Sequence, residues 1–98
     1  MQNCFNHAFR RMGCLDGSIV AKLLKNKPMA NNLERDDVIV YYRDENYAVH
    51  ASVFVDNKNV STKWGELEVR ICTREEDQEK YPHTFQRFFQ RNVIDTLT

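Results

Sequence analysis

The chain has 98 residues, enough for one domain with a single hydrophobic core. Lys plus Arg and Asp plus Glu number 14 each, so the net charge is zero, and the electrostatic footprint of a nucleic-acid-binding protein is missing. An apolar fraction of 42% with only three Gly and two Pro excludes a disordered or fibrous chain. No stretch has the length of a membrane span, and residues 1–13 lack the apolar core of a signal peptide, so a cytoplasmic protein is expected.

The beginning of the chain predicts a short helix that carries a cysteine at its start. Apolar residues recur every three or four positions between Asn3 and about Met12, which is typical of one buried helical face. Asn3 is well suited to be the N-cap, and this places Cys4 at the first helical position.

A second amphipathic helix is predicted over residues 18–27. In this interpretation Ser18 is the N-cap, and Ile19, Leu23 and Leu24 share the apolar face.

The rest of the chain predicts an antiparallel sheet. β-branched and aromatic runs separated by turn residues indicate strands over 37–42, 47–55, 60–64 and 67–72. Residues 84–93 fit either a helix or a strand, and a strand is favoured because the sheet needs a closing edge. The charged run 73–82 is expected to form a surface loop or short helical turn, with Glu75, Glu76, Asp77 and Glu79 as a solvated face.

These elements predict the α+β class: N-terminal helices packed on an antiparallel sheet of four to five strands, in a single compact domain over 1–98.

Cys4 and His50 are the candidate catalytic pair. A thiolate is the reactive form of cysteine, and a helix N-terminus lowers the pKa of a thiol. His50 lies inside a predicted strand, where the sheet would hold its imidazole rigidly enough to act as a base. A further polar group usually orients such an imidazole. The polar residues that follow on the next strand and turn are Ser61, Thr62, Glu66 and Glu68.

Three segments resemble NlpC-like cysteine peptidases and amidases of the papain superfamily. They are "NCFNHAF" (residues 3–9), "DDVIVYY" (36–42) and "HASVFVDNKNVSTKWGEL" (50–67), and the resemblance covers roughly residues 3–70. The last segment contains a "V-x-S-K-W-G"-like signature, here with one residue inserted or substituted over residues 60–65.

The resemblance implies a papain-like fold, with Cys4 as the nucleophile and His50 as the base. It places the third catalytic position on the strand after His50, near Thr62 or Ser61, where this chain has neither His nor Asp. Only Met1 and two polar residues precede Cys4, so the oxyanion donors would be the Cys4 N–H with Gln2 or Asn3. Trp64 follows the third position, and is a hairpin anchor, a substrate platform or both.

Three functions therefore stay open. The first is a thiol hydrolase or acyltransferase acting on an amide, isopeptide or thioester bond of a peptide or protein, without a cofactor. The second is a catalytically degraded protein on the same fold that binds or inhibits a partner protein. The third is a zinc-stabilised domain, and its conceivable ligands are Cys4, His7, Cys72 and His83.

The three cysteines cannot all pair within the chain, so free thiols are expected. Cys14 and Cys72 are interpreted as small buried apolar residues.

Overall fold

The structure is a computed structural model that describes residues 2–97. Its helices are α1 (Cys4–Phe9), α2 (Gly17–Leu24), α3 (Arg74–Lys80) and α4 (Arg91–Asp95). Its strands are β1 (Val38–Asp44), β2 (Tyr47–Phe54), β3 (Asn59–Lys63), β4 (Val69–Thr73) and β5 (Phe85–Phe89).

The five strands form one antiparallel sheet in the order β4-β3-β2-β1-β5. Strands β1 to β4 form a meander, and β5 returns to pair with β1 on its other side. The predicted α+β class, with N-terminal helices on a sheet of four to five strands, is confirmed. The strand predicted within residues 84–93 is also confirmed, although α4 follows it without having been predicted.

The core lies on both faces of the sheet, because alternate residues of β1 point in opposite directions. Val38, Val40 and Tyr42 pack on one face with residues of α1, α2 and α4. Ile39 and Tyr41 pack on the other face with residues of β3 and β4 and with Tyr81, which follows α3.

Helix α1 begins as predicted but ends three residues early. The Asn3 side chain accepts hydrogen bonds from the Phe5 and Asn6 N–H groups, so Asn3 is the N-cap. Arg10 adopts a left-handed conformation with φ 54°, which ends the helix after Phe9.

The prediction for α2 was wrong in its cap and in part of its apolar face. Asp16 is the N-cap, because its carboxylate accepts a hydrogen bond from the Ile19 N–H. Ser18 and Ile19 are exposed, and the buried face consists of Gly17, Val20, Ala21 and Leu24.

The charged run from residue 73 folds as α3. Thr73 and Glu76 form a reciprocal capping box, which stabilises a helix start in a segment with little apolar character. The expectation of a fully solvated acidic face was wrong for Asp77, which is 0% exposed.

The cysteines Cys4, Cys14 and Cys72 are free thiols. Cys72 is buried as predicted, whereas Cys14 is exposed, because it lies in the irregular segment between α1 and α2.

No helix within residues 2–97 combines the length and the apolar character that crossing a membrane requires.

Gly17 is expected to tolerate no side chain. A Cβ there would collide with the Ala48 carbonyl oxygen and the Tyr47 ring, where α2 crosses β2. We expect Gly17→Ala to lower the free energy of unfolding by about 3 kcal/mol, the upper range for overpacking. Urea denaturation measures this, with the exposed Ser18→Ala as the matched control. A gain in stability, as helix propensity alone predicts, would contradict the packing.

Candidate functional site

The centre of the site is the buried carboxylate of Asp77. It accepts hydrogen bonds from the Tyr41 hydroxyl (2.7 Å), the Trp64 Nε1–H (3.0 Å) and His50 Nε2 (3.0 Å). Burial by itself would raise the pKa of Asp77, but the hydrogen bonds and the charge of His50 lower it to about 2. Asp77 is therefore an ionised carboxylate in the protein interior.

This carboxylate determines which nitrogen of His50 carries the proton. An ionised carboxylate only accepts hydrogen bonds, so Nε2 is the donor, and it also lies 2.8 Å from the Thr62 hydroxyl. Nδ1 is buried and has no hydrogen-bond partner among the described residues. In the neutral ring Nδ1 therefore presents an unshared electron pair, which is what a general base requires.

The sheet holds this imidazole where two strands diverge. Within the described chain, the ladder between β2 and β3 consists of Val53–Ser61 and Phe54–Val60. Towards His50 and Thr62 the strands have no further ladder pairs, and the side-chain hydrogen bond between these two residues spans the gap.

Aromatic rings enclose His50, whose side chain is 0% exposed. The Tyr81 ring stacks on it with 3.8 Å between centroids and an interplanar angle of 7°. Tyr41 lies 5.4 Å away on a tilted plane, and His83 stacks on Tyr41 at 4.6 Å. The imidazole is therefore closed off from solvent by Tyr81, the residue at the C-cap of α3.

Cys4 lies at the start of α1, against the strand that carries His50. Burial raises the pKa of its thiol to about 11, because it outweighs the Ala51 and Phe5 N–H groups, which lower the pKa. The negative charge of Asp77 raises the pKa further. This is opposite to the effect predicted from the helix start alone, and Cys4 is a neutral thiol at pH 7.

Cys4 lies near the His50 network but forms no hydrogen bond with His50 Nδ1, which has no partner among the described residues. Ala51, whose N–H affects the sulfur, is the next residue after His50 in β2. Burial raises the pKa of Tyr81, and the charge of Cys4 raises it further. Cys4 is thus within electrostatic range of Asp77 and Tyr81, which both contact the imidazole.

Of the two residues proposed to hold the imidazole, Thr62 is the one that contacts it. Ser61 points to the opposite face of β3, where its hydroxyl lies 3.0 Å from His7 Nε2. His7 is one turn beyond Cys4 in α1, so this pair joins the helix to the sheet beside the site.

Asn3 and Gln2, proposed as oxyanion donors, have other partners in this structure. The Asn3 backbone N–H donates to the Asn6 side chain, and its amide group donates to the Leu15 carbonyl (2.7 Å). The Gln2 amide is exposed and lies 3.0 Å from the Met12 sulfur.

Trp64 anchors the hairpin and also belongs to the site. Its indole N–H binds Asp77, and the Arg70 guanidinium lies 4.4 Å from the centroid of its ring. The four conceivable zinc ligands do not form a site, since residues 2–97 contain no group of three or more His, Cys, Asp or Glu placed to hold a metal ion.

Sequence reasoning missed Asp77 because it lies in a run of charged residues. The available signal was the T-x-x-E pattern of Thr73 and Glu76, which predicts a helix start. Once that helix is assumed, Asp77 lies on the face opposite the exposed Glu75 and Glu79, and can turn towards the sheet.

Comparisons with protein-family models, curated proteins and solved structures found no match to this chain. The likeness to NlpC-like enzymes of the papain superfamily therefore stays a prediction.

The ionised state of Asp77 should make the free energy of unfolding depend on pH in the acidic range. Because its pKa is lowered to about 2 in the folded protein from an ordinary 3.8, it stabilises the fold above pH 4. This stabilisation is lost as the pH falls towards 2. We expect Asp77→Asn to lower the free energy of unfolding at pH 7 by on the order of 2 kcal/mol.

The measurement is urea denaturation between pH 2 and pH 7. The difference in the free energy of unfolding between wild type and Asp77→Asn should become smaller below pH 4. Glu75→Gln, an exposed change on the same helix, should have little effect on the free energy of unfolding. A difference that is constant with pH would show that Asp77 is not charged in the fold.

Proposed function

We propose that this protein is a thiol hydrolase or acyltransferase that acts on an amide, isopeptide or thioester bond. Cys4 is the nucleophile, His50 is the general base, and Asp77 and Thr62 are positioning residues. The observation that carries the proposal is the buried Nδ1 of His50. It has no partner among the described residues, while the opposite nitrogen is fixed by Asp77 and Thr62.

In the proposed reaction, Nδ1 takes the proton of the Cys4 thiol as the sulfur attacks the substrate carbonyl carbon. A thioester bond to Cys4 forms, the bond to the leaving amine or thiol breaks, and the imidazolium returns its proton to the leaving group. Water completes hydrolysis by attacking the thioester, or an acceptor amine or thiol completes acyl transfer. Asp77 stabilises the imidazolium that exists between the two proton transfers.

The backbone supplies a donor for the developing oxyanion. The Ala51 N–H lies close enough to the Cys4 sulfur to lower its pKa, so it lies beside the carbonyl that the sulfur would attack. This donor is part of β2 and is as rigid as His50 itself.

Substrate binding requires Tyr81 to leave the face of His50. Tyr81 connects the C-terminal end of α3 with the short segment 82–84 before β5, so it can move without breaking the sheet. The closed site keeps the thiol protonated because it is buried. Opening it admits water and favours the thiolate.

A second candidate function is a non-catalytic binding protein or inhibitor on the same fold. The complete burial of the His50 and Asp77 side chains and a Cys4 pKa of about 11 favour it. In that case the hydrogen bonds to Asp77 serve stability alone.

A small aryl thioester separates the two functions. We expect mass spectrometry of proteolytic peptides to detect acylation of Cys4, and we expect His50→Ala to slow this acylation about 100-fold, a typical contribution of a general base. The exposed thiol of Cys14 is the internal reference, and its acylation should be the same in both proteins.

Tyr81→Ala should speed acylation of Cys4 relative to Cys14, because it uncovers His50. If only Cys14 is acylated, in wild type and in Tyr81→Ala alike, the hydrolase proposal is wrong and the binding function replaces it.

A further inference from the structure

Strand β4 and the bend before it carry exposed apolar side chains. Leu67, Val69 and Ile71 are 57%, 52% and 61% exposed. Val69 and Ile71 point to one face of β4, and Leu67 lies at a bend two residues before the strand. Their partners in β3 are Lys63 for Val69 and Ser61 for Ile71, and neither partner is apolar.

β4 is also an edge strand, because it ends the order β4-β3-β2-β1-β5. On its outer side, alternate backbone N–H and C=O groups have no strand partner within residues 2–97. Natural edge strands are usually protected by proline, lysine, bulges or a covering segment. β4 contains neither proline nor lysine, and its ladder with β3 is regular from Val69 to Thr73, without a bulge.

The charges beside this row identify what can cover it. The segment Leu67–Ile71 reads apolar, acidic, apolar, basic, apolar, so it is complementary to itself in the antiparallel direction. In a pair with Val69 opposite Val69 and the strand extended back to Leu67, Leu67 lies opposite Ile71, and Glu68 lies opposite Arg70 on the other face.

We propose that a second copy of this chain pairs with β4 in this register. A two-fold axis through Val69 joins two five-stranded sheets into one and brings the two apolar rows together. Each dimer then contains two Glu68–Arg70 pairs.

The alternative registers lack this complementarity. Residues directly opposite each other in a continuous sheet point to the same face, so a two-fold axis must pass through a residue and not between two residues. Within the exposed strand, the other possible axes pass through Arg70 or Ile71. The first places Arg70 opposite Arg70, which is repulsive. The second places Val69 opposite the polar Thr73 and Arg70 opposite Cys72. Glu68 would then lie opposite Arg74, but Arg74 belongs to α3 and not to the strand.

Arg70 is already held for this contact. Its guanidinium lies 4.4 Å from the centroid of the Trp64 ring, so little side-chain freedom is lost when it meets Glu68 of the second copy. The contact is short, and we therefore expect a dimer that dissociates on dilution. It does not depend on the chemistry of Cys4.

Cysteine scanning tests the register directly. Val69→Cys, Arg70→Cys and Ile71→Cys are compared in a Cys14→Ser background, because Cys14 is the exposed natural thiol. Residues opposite each other across an antiparallel pair lie within disulfide range, so Val69→Cys should cross-link into dimers at least ten times faster than the other two. Faster cross-linking through residue 70 or 71 would overturn the proposed register.

Charge reversal tests the same contact without new thiols. Sedimentation of the wild type should show a dimer, and Glu68→Arg should raise its dissociation constant about tenfold, because it places two positive charges opposite each other. The double change Glu68→Arg with Arg70→Glu should restore the dimer, since it exchanges the two signs. Glu79→Arg, the same charge change on α3, should have no effect. A wild type that stays monomeric at millimolar concentration would refute the proposal.

Discussion

The buried carboxylate of Asp77 is the interaction on which the site and much of one core face depend. It joins β1 through Tyr41, β2 through His50, and the turn after β3 through Trp64. Removing a carboxylate from water is costly unless its oxygens are hydrogen-bonded, and here three donors satisfy them. The same contacts fix α3 on the sheet and orient the imidazole, so the stability of this face and the orientation of the base have one origin.

The negative charge of Asp77 also acts on the thiol of Cys4. Asp77 orients the imidazole of His50 through Nε2, but its charge, together with burial, disfavours a thiolate at Cys4. The Ala51 and Phe5 N–H groups at the sulfur act in the other direction and are outweighed. The thiol of Cys4 is therefore neutral in this structure. In the proposed enzyme, opening at Tyr81 changes this balance, since it exposes the sulfur to water while the hydrogen bonds of His50 remain.

Much of the fold could be predicted, because period-two alternation and turn residues identify strands, and Asn3 is a strong helix cap. The prediction of the N-cap of α2 was wrong because Asp16 and Ser18 are both good cap residues, and only packing against β2 selects between them. Of the residues predicted to hold the imidazole, Thr62 is hydrogen-bonded to His50, but Asp77 was not predicted because its neighbours in the sequence are exposed acidic residues. Burial of a single carboxylate depends on which face of a short helix meets the sheet, and local sequence patterns do not determine this.

In this structure Asp77 keeps the proton of His50 on Nε2 and leaves Nδ1 unprotonated. Long-range ¹H–¹⁵N correlation spectra of the imidazole at pH 7 test it most directly, because the two nitrogens give different patterns in each tautomer. We expect a protonated Nε2, slow to exchange with solvent, and an unprotonated Nδ1. A proton on Nδ1 with a bare Nε2 would contradict it, because the bond to Asp77 would then have no donor.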